Sequence, residues 1–278
     1  FSPHPYAMPP AGRASSVSEI DAERLREYYR MLIDPQRLVL AVVGDVDAAR
    51  VEELSERYFS GHDSSDPITP SLPDPKTPAE PTLTVGDLEK EQAHIIAGFP
   101  LPPLAEVDKP PLDVLHAILS GQGGRLFYEL RDRQSLAYSV RARVMLGLDA
   151  GAFSITIGTS PDKIEQAVEG IVDQVDILRS TGVTADEVER ARRYLIGSHD
   201  IGLQRNSARS FQMGLDELYG LGYRRSLEYG ARIEGVEIDR IEELIDRHLD
   251  PQKMLVSIVK PQAHEVPGDL VENIVENR

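Results

Sequence analysis

Two stretches of this chain carry nearly the same eleven residues: DPQRLVLAVVG at Asp34–Gly44 and DPQKMLVSIVK at Asp250–Lys260. Each is an Asp-Pro turn signal followed by a short run of Val, Leu and Ile, the pattern of a buried strand leaving a turn. The likeness continues upstream. Ile20, Leu25, Tyr28, Tyr29 and Ile33 fall opposite Val236, Ile241, Leu244, Ile245 and Leu249, and both sets have helix-face spacing. A helix, a DPQ turn and a strand are therefore expected twice.

The first copy has far less sequence before it than the second. If both close equivalent domains of roughly 200 residues, the first domain lacks its start. The expected organisation is a C-terminal remnant of a preceding homologous domain over 1–61, a linker over 62–81 and a complete domain over 82–278. The linker, HDSSDPITPSLPDPKTPAEP, holds six of the twenty prolines, which block both helix and central strand. The apolar faces of the remnant are expected to borrow a partner, either the C-terminal domain or a second copy of the chain in a homodimer.

Composition narrows the function classes. The 278 residues, 41% hydrophobic, suffice for at least one full core. With no cysteine there can be no disulfide, thiolate metal site or Cys nucleophile; this composition suits cytosol and periplasm equally. A formal net charge of -16 argues against nucleic-acid binding, which needs a basic face. No apolar run approaches the length of a membrane span.

From residue 82 onward the patterns alternate by type. Thr82–Val85 and Gln92–Phe99 read as strands, and Pro110–Ser120 as a helix with Leu112, Leu115, Ile118 and Leu119 inward. Arg125–Arg133 reads as a second helix. Tyr138–Leu146 alternates, with Tyr138, Val140, Ala142 and Val144 on one face, and Phe153, Ile155 and Ile157 continue on an antiparallel partner. A helix over Pro161–Arg179 carries the stripe Ile164, Val168, Ile171, Val175 and Leu178. Thr184 with Glu187 forms a capping box for a long helix. Helices at Ser207–Tyr219 and Glu237–Leu249 precede a last strand, Met254–Val259. The expected class is α+β, a mostly antiparallel sheet with helices packed on one face.

The most informative motif is SGQGGRLFYELRDRQSLAYSV, Ser120–Val140. Its glycines, Gly121, Gly123 and Gly124, are not a phosphate loop: no Lys-Ser/Thr follows, and the loop joins two helices. Arg131 and Tyr138 stand seven apart where helix hands over to strand. Two readings fit that spacing. Arg131 could pair with Glu129 or Asp132 while Tyr138 packs in the sheet, or both could project polar groups toward a ligand. Asp45 and Asp47 in GDVD fit a turn, and Arg190, Arg192 and Arg193 fit a solvated helix face.

Gly123–Val140 resembles the C-terminal half of the pitrilysin/insulinase-type zinc metallopeptidases, the M16 peptidase family, in which an Arg-x6-Tyr pair follows a Gly-rich loop. HPYAMPPAG and DPQRLVLAVVGDVD look like the closing third of that family's N-terminal half. The resemblance implies a LuxS/MPP-like metallopeptidase fold and two similar domains closing like a clamshell, which would account for the repeat. It implies zinc held in the N-terminal half by H-x-x-E-H and a distal Glu, with Arg131 and Tyr138 reaching across from this half.

This chain departs from the family at the metal. Its histidines, His4, His62, His94, His116, His199, His248 and His264, include no H-x-x-E-H. No zinc site can be assembled on one helix, so no metal is expected here and zinc belongs to the missing or partner half. The resemblance then implies the non-catalytic half of a zinc endopeptidase, inactive alone, with no catalytic residue of its own. That half completes a peptide-binding chamber, and Arg131 and Tyr138 support the transition state. Its partners would be the zinc-bearing half and peptide substrates. The rival readings are an inert scaffold subunit of the same fold and a peptide-binding module without hydrolysis.

Overall fold

The computed structural model describes residues 1–33, 38–60, 71–121 and 123–277. The chain divides into two compact units, Phe1–Lys76 with His199–Tyr229, and Thr77–Ser198 with Gly230–Arg278.

The first unit contains helices α1 (Ala14–Ser18), α2 (Ala22–Leu32) and α3 (Ala48–Phe59). Asp21 caps α2 by accepting from the Arg24 N–H at 2.9 Å, and Asp47 caps α3 by accepting from the Arg50 N–H at 3.0 Å. The capping role explains Asp47 of the GDVD turn without a metal. The first DPQ turn lies outside the described residues, as do residue 61 and 62–70 of the expected linker. The strand expected after that turn is not formed: residues 38–43 carry no regular structure, and no described strand pairs with them. Strand pairing needs a neighbour, and the sequence pattern alone cannot supply one. Part of this segment lies beside the first unit's own helical stretch, since a Cβ on Gly214 would come 3.3 Å from Ala41.

The second unit is built on a five-stranded sheet in the order β1-β5-β2-β4-β3. Its strands are β1 (Thr82–Asp87), β2 (Ala93–Leu101), β3 (Ser139–Leu146), β4 (Gly151–Thr159) and β5 (Leu255–Lys260). Only β1 with β5 is parallel; the other three pairings are antiparallel. Helix α4 (Lys109–Leu119) and a π-helix (Phe127–Arg133) lie between β2 and β3 in the chain. They are followed by α5 (Ile164–Thr181), α6 (Ala185–Gly202), α7 (Asn206–Leu218), α8 (Tyr229–Glu234), α9 (Ile238–His248) and α10 (Leu270–Glu276). Helix α7 belongs to the first unit.

Alternation along the strands fixes the core. Ala93, Ile95, Ala97 and Phe99 of β2 and Phe153, Ile155 and Ile157 of β4 are buried on one face. Against that face packs α5, whose expected stripe of Ile164, Val168, Ile171, Val175 and Leu178 is buried throughout. The other face keeps Ile96, Arg141, Arg143 and Leu255 exposed. Arg179 ties α5 to the end of α9, donating to the carbonyls of Asp246 and Leu249 at 3.2 and 3.1 Å. The fold is α+β with helices on one face of a mostly antiparallel sheet, as the pattern implies.

The two copies of the repeat meet opposite environments. Val236, Ile241, Leu244, Ile245 and Leu249 are all buried, whereas Ile20, Leu25, Tyr28, Tyr29 and Ile33 are all exposed. The same apolar face has a sheet to cover in the second unit and none in the first.

Candidate functional site

Helix α4 ends where the Ser120 N–H donates to the His116 carbonyl at 2.9 Å. The chain then turns at Gly121, whose φ of +79° suits glycine, and the Gly124 N–H closes the turn on the Gly121 carbonyl at 3.1 Å. At Gly124 a Cβ would lie 2.3 Å from the Ser120 carbonyl oxygen, so no other residue fits. Gly123 has open space around it. Two of the three glycines are therefore demanded by the turn itself.

The segment expected as an α-helix is wound wider. Over Phe127–Arg133 it is a π-helix, and the Gln134 N–H reaches back five residues to the Glu129 carbonyl at 3.2 Å. Such turns are rare and are found frequently at functional sites. The Leu136 N–H closes its end on the Leu130 carbonyl at 2.9 Å, with Ser135 at φ +53° in the left-handed region. Lys163 Nζ donates to the Ser135 carbonyl at 3.0 Å, and Thr159 Oγ1 donates to the Leu136 carbonyl at 2.5 Å. The backbone between Arg131 and Tyr138 is thus fastened from both sides.

Arg131 is exposed, and its guanidinium lies 4.6 Å over the Phe127 ring, a cation–π contact. The expected rival partner is engaged elsewhere: Glu129 accepts from Arg133 at 2.8 Å. Among the described residues Arg131 makes no ion pair. Tyr138 does not join the inward face with Val140 and Ala142; it is 60% exposed. Its N–H donates to the Gly158 carbonyl at 2.8 Å, and Gly158 is also the residue paired with Ser139. Tyr138 thus stands one residue before β3 begins, where the alternation of the strand no longer sets its direction. Its phenol has no hydrogen-bond partner among the described residues. Helix packing and sheet packing therefore leave both polar groups free for other partners.

A brace that the sequence does not announce secures the start of the π-helix. Arg125 Nη2 and Nε donate to the two carboxylate oxygens of Glu187 at 2.7 and 3.0 Å. The residues are 62 apart in sequence. Glu187 also closes the expected capping box, accepting from the Thr184 N–H at 2.9 Å while its own N–H donates to Thr184 Oγ1 at 3.3 Å. Burial alone would push the Glu187 carboxyl up. Hydrogen bonds from Arg125 and Thr184 outweigh it and hold the group below the usual carboxylate range.

No group of three or more His, Asp and Glu among the described residues could hold a metal ion. His116 Nε2 donates to the Ala142 carbonyl at 3.1 Å, on the outer edge of β3. His199 donates to the Ser226 carbonyl at 2.8 Å and stacks on Tyr229. His4 is buried and accepts from the Tyr6 N–H at 3.1 Å, while His94 is exposed on the sheet. His62 lies outside the described residues.

Comparison with known proteins gives consistent matches. The family model described as "Peptidase M16 inactive domain" matches residues 19–195. A protein of Mycobacterium tuberculosis named as an uncharacterized zinc protease is 29% identical over 265 residues, covering 94% of this chain and 60% of the relative. A Streptomyces coelicolor protein with the same description is 31% identical over 227 residues, 78% of this chain and 49% of the relative. Among solved structures, a protease from Helicobacter pylori aligns with a TM-score of 0.82 at 20% identity, covering 93% of this chain and 63% of that one. The chain spans about 60% of the length of the mycobacterial relative.

Proposed function

Because the chain belongs to the peptidase M16 inactive-domain family, the C-terminal, non-zinc-binding part of zinc-protease-like proteins, we propose that it completes the peptide-binding chamber of a zinc endopeptidase and lends Arg131 and Tyr138 to its reaction. The observation that carries this reading is the freedom of the pair. A guanidinium and a phenol stand exposed and without polar partners among the described residues, on backbone fastened by Thr159, Lys163 and Gly158.

Zinc, held by the other half, would supply an activated water for addition to the scissile carbonyl. The part of this chain is to donate. As the carbonyl carbon becomes tetrahedral, negative charge grows on its oxygen, and donors already in place stabilise that charge without reorganising. The Tyr138 O–H can give one hydrogen bond, and the Arg131 fork can hold either that oxygen or a neighbouring peptide carbonyl. The exposed apolar face of α2 is the surface through which the first unit would join the zinc-bearing half, with a homodimer as the competing arrangement.

Reconstitution tests the reading. The chain alone should hold no stoichiometric zinc after dialysis and cut no peptide. Mixed with or fused to a zinc-bearing half carrying H-x-x-E-H, it should yield hydrolysis that a chelator abolishes. One tightly held zinc per chain, with hydrolysis by the chain alone, would contradict it.

A further inference from the structure

The three arginines of α6 look alike in sequence and part company in the fold. Arg193 pairs with Glu189 at 2.7 Å, and Arg192 donates to the Val236 carbonyl. Arg190 makes no ion pair among the described residues. It borders a cavity of about 1150 Å³ between α5, α6, the Gly-rich loop and the π-helix. Neither Arg131 nor Tyr138 lines that cavity, although it shares the Gly-rich loop and the π-helix with them.

The walls ask for a particular ligand. Gln174 of α5 is only 2% exposed, and its Oε1 accepts no hydrogen bond. A buried amide oxygen without a donor is costly; Gln174 Oε1 is enclosed, so a turn of the side chain toward the cavity would let a ligand N–H satisfy it. The other charges of the lining are matched, Arg125 with Glu187 and Arg133 with Glu129. Arg190 is left as the uncompensated cation, in a chain whose formal charge is -16. Ile177, Ala191 and Leu195 add an apolar wall.

We propose that this cavity binds the free carboxyl end of a peptide whose last side chain is apolar. The carboxylate pairs with Arg190, the last amide N–H donates to Gln174 Oε1, and the side chain lies against Ile177, Ala191 and Leu195. A fatty acid would satisfy the cation and the apolar wall but would leave Gln174 without a donor. A polyphosphate would bring more charge than one arginine can match. The inference takes only its ligand class from the peptidase reading. It needs no zinc and no turnover.

Calorimetric titration of the 278-residue chain with a short N-acetylated peptide ending in a free leucine tests it. Saturable one-site binding is expected, weakened about tenfold or more when the same peptide ends in an amide, because a charge-assisted hydrogen bond is lost. Arg190→Gln should weaken the acid peptide by a similar factor without shifting the melting temperature. Ile177→Trp, filling the cavity from a half-exposed position, should abolish binding. No saturable binding, equal binding of acid and amide, or an unchanged affinity in Arg190→Gln would each overturn the proposal. Because binding is read without hydrolysis, its failure would leave the peptidase reading intact, and the reverse also holds.

Discussion

The Tyr138 N–H donates to the Gly158 carbonyl at 2.8 Å, although Gly158 is already the cross-strand partner of Ser139. Tyr138 lies just before β3 begins, as the chain leaves the π-helix bearing Arg131, and its ring is exposed. Tyr138 is thus held through its backbone, and its phenol has no hydrogen-bond partner among the described residues.

The tight turn before the π-helix gives a sharp contrast between neighbouring positions. Gly124→Ala would drive a Cβ into the Ser120 carbonyl, 2.3 Å away, whereas Gly123→Ala meets nothing within 4 Å. The first should cost about 1–3 kcal/mol, the range of overpacking, and the second should leave the urea midpoint near the parent value. Chemical denaturation of both variants checks this. Equal effects would mean that the turn relaxes freely.

Equivalent positions of the repeat should respond unequally. Ile245→Ala empties a fully buried site in the second unit and should cost about 2–5 kcal/mol. Leu25→Ala, at an exposed position of α2, should change the stability of the isolated chain little. Once the chain is joined to its zinc-bearing half, Leu25→Ala should become destabilising if α2 is covered there. A large loss in the isolated chain would show that α2 is already packed.

Stability should fall in two steps on acidification. His248 is half-buried, and burial, reinforced by Arg247, lowers its pKa below 6.5. A lowered histidine favours the neutral form in the fold. Its contribution is complete above 6.5 and declines as the pH falls from there through the folded value. Glu187 is also lowered, so its contribution is complete above 4.5 and is lost as the pH falls below that through its folded value. Glu187→Gln should shrink the second step and cost about 1.5–3 kcal/mol at neutral pH, as expected for hydrogen bonds to a charged group. Melting curves from pH 8 to 3 read both steps; His248→Gln should flatten only the first.

What the sequence revealed and what it hid divide along physical lines. A buried face repeats every two residues on a strand and every three or four on a helix. For that reason β2, β4 and the stripes of α4 and α5 were legible from single residues. The wide winding of Phe127–Arg133 was not, because Leu126 and Leu130 at a spacing of four suit an α-helix equally well. Parity placed Tyr138 inward with Val140, but the strand begins only at Ser139, and Tyr138 is exposed. The Arg125–Glu187 brace spans 62 residues and has no local signature beyond the capping box that Glu187 also serves. The strand expected over 38–43 fails for the opposite reason: its own residues suit a strand, and the neighbour is absent among the described residues.

Arg131→Lys keeps the charge but loses the planar fork that can bridge two oxygens. In the reconstituted peptidase it should lower kcat/KM, with part of the loss in KM if Arg131 also holds a neighbouring peptide carbonyl. The melting temperature should stay at the parent value, since Arg131 is exposed and makes no ion pair among the described residues. A stability loss with normal turnover per folded molecule would instead mark Arg131 as a structural residue.

The most direct test is kcat for Tyr138→Phe in the reconstituted zinc peptidase. The substitution deletes one hydroxyl and keeps the ring, and that hydroxyl has no partner among the described residues. If it donates to the developing oxyanion, kcat should fall by about 10²–10³, or about 2.7–4 kcal/mol, the effect of removing one oxyanion-hole donor, while the melting temperature holds. An unchanged kcat would contradict the assignment of Tyr138 and, with it, the proposal that this chain contributes to the chemistry.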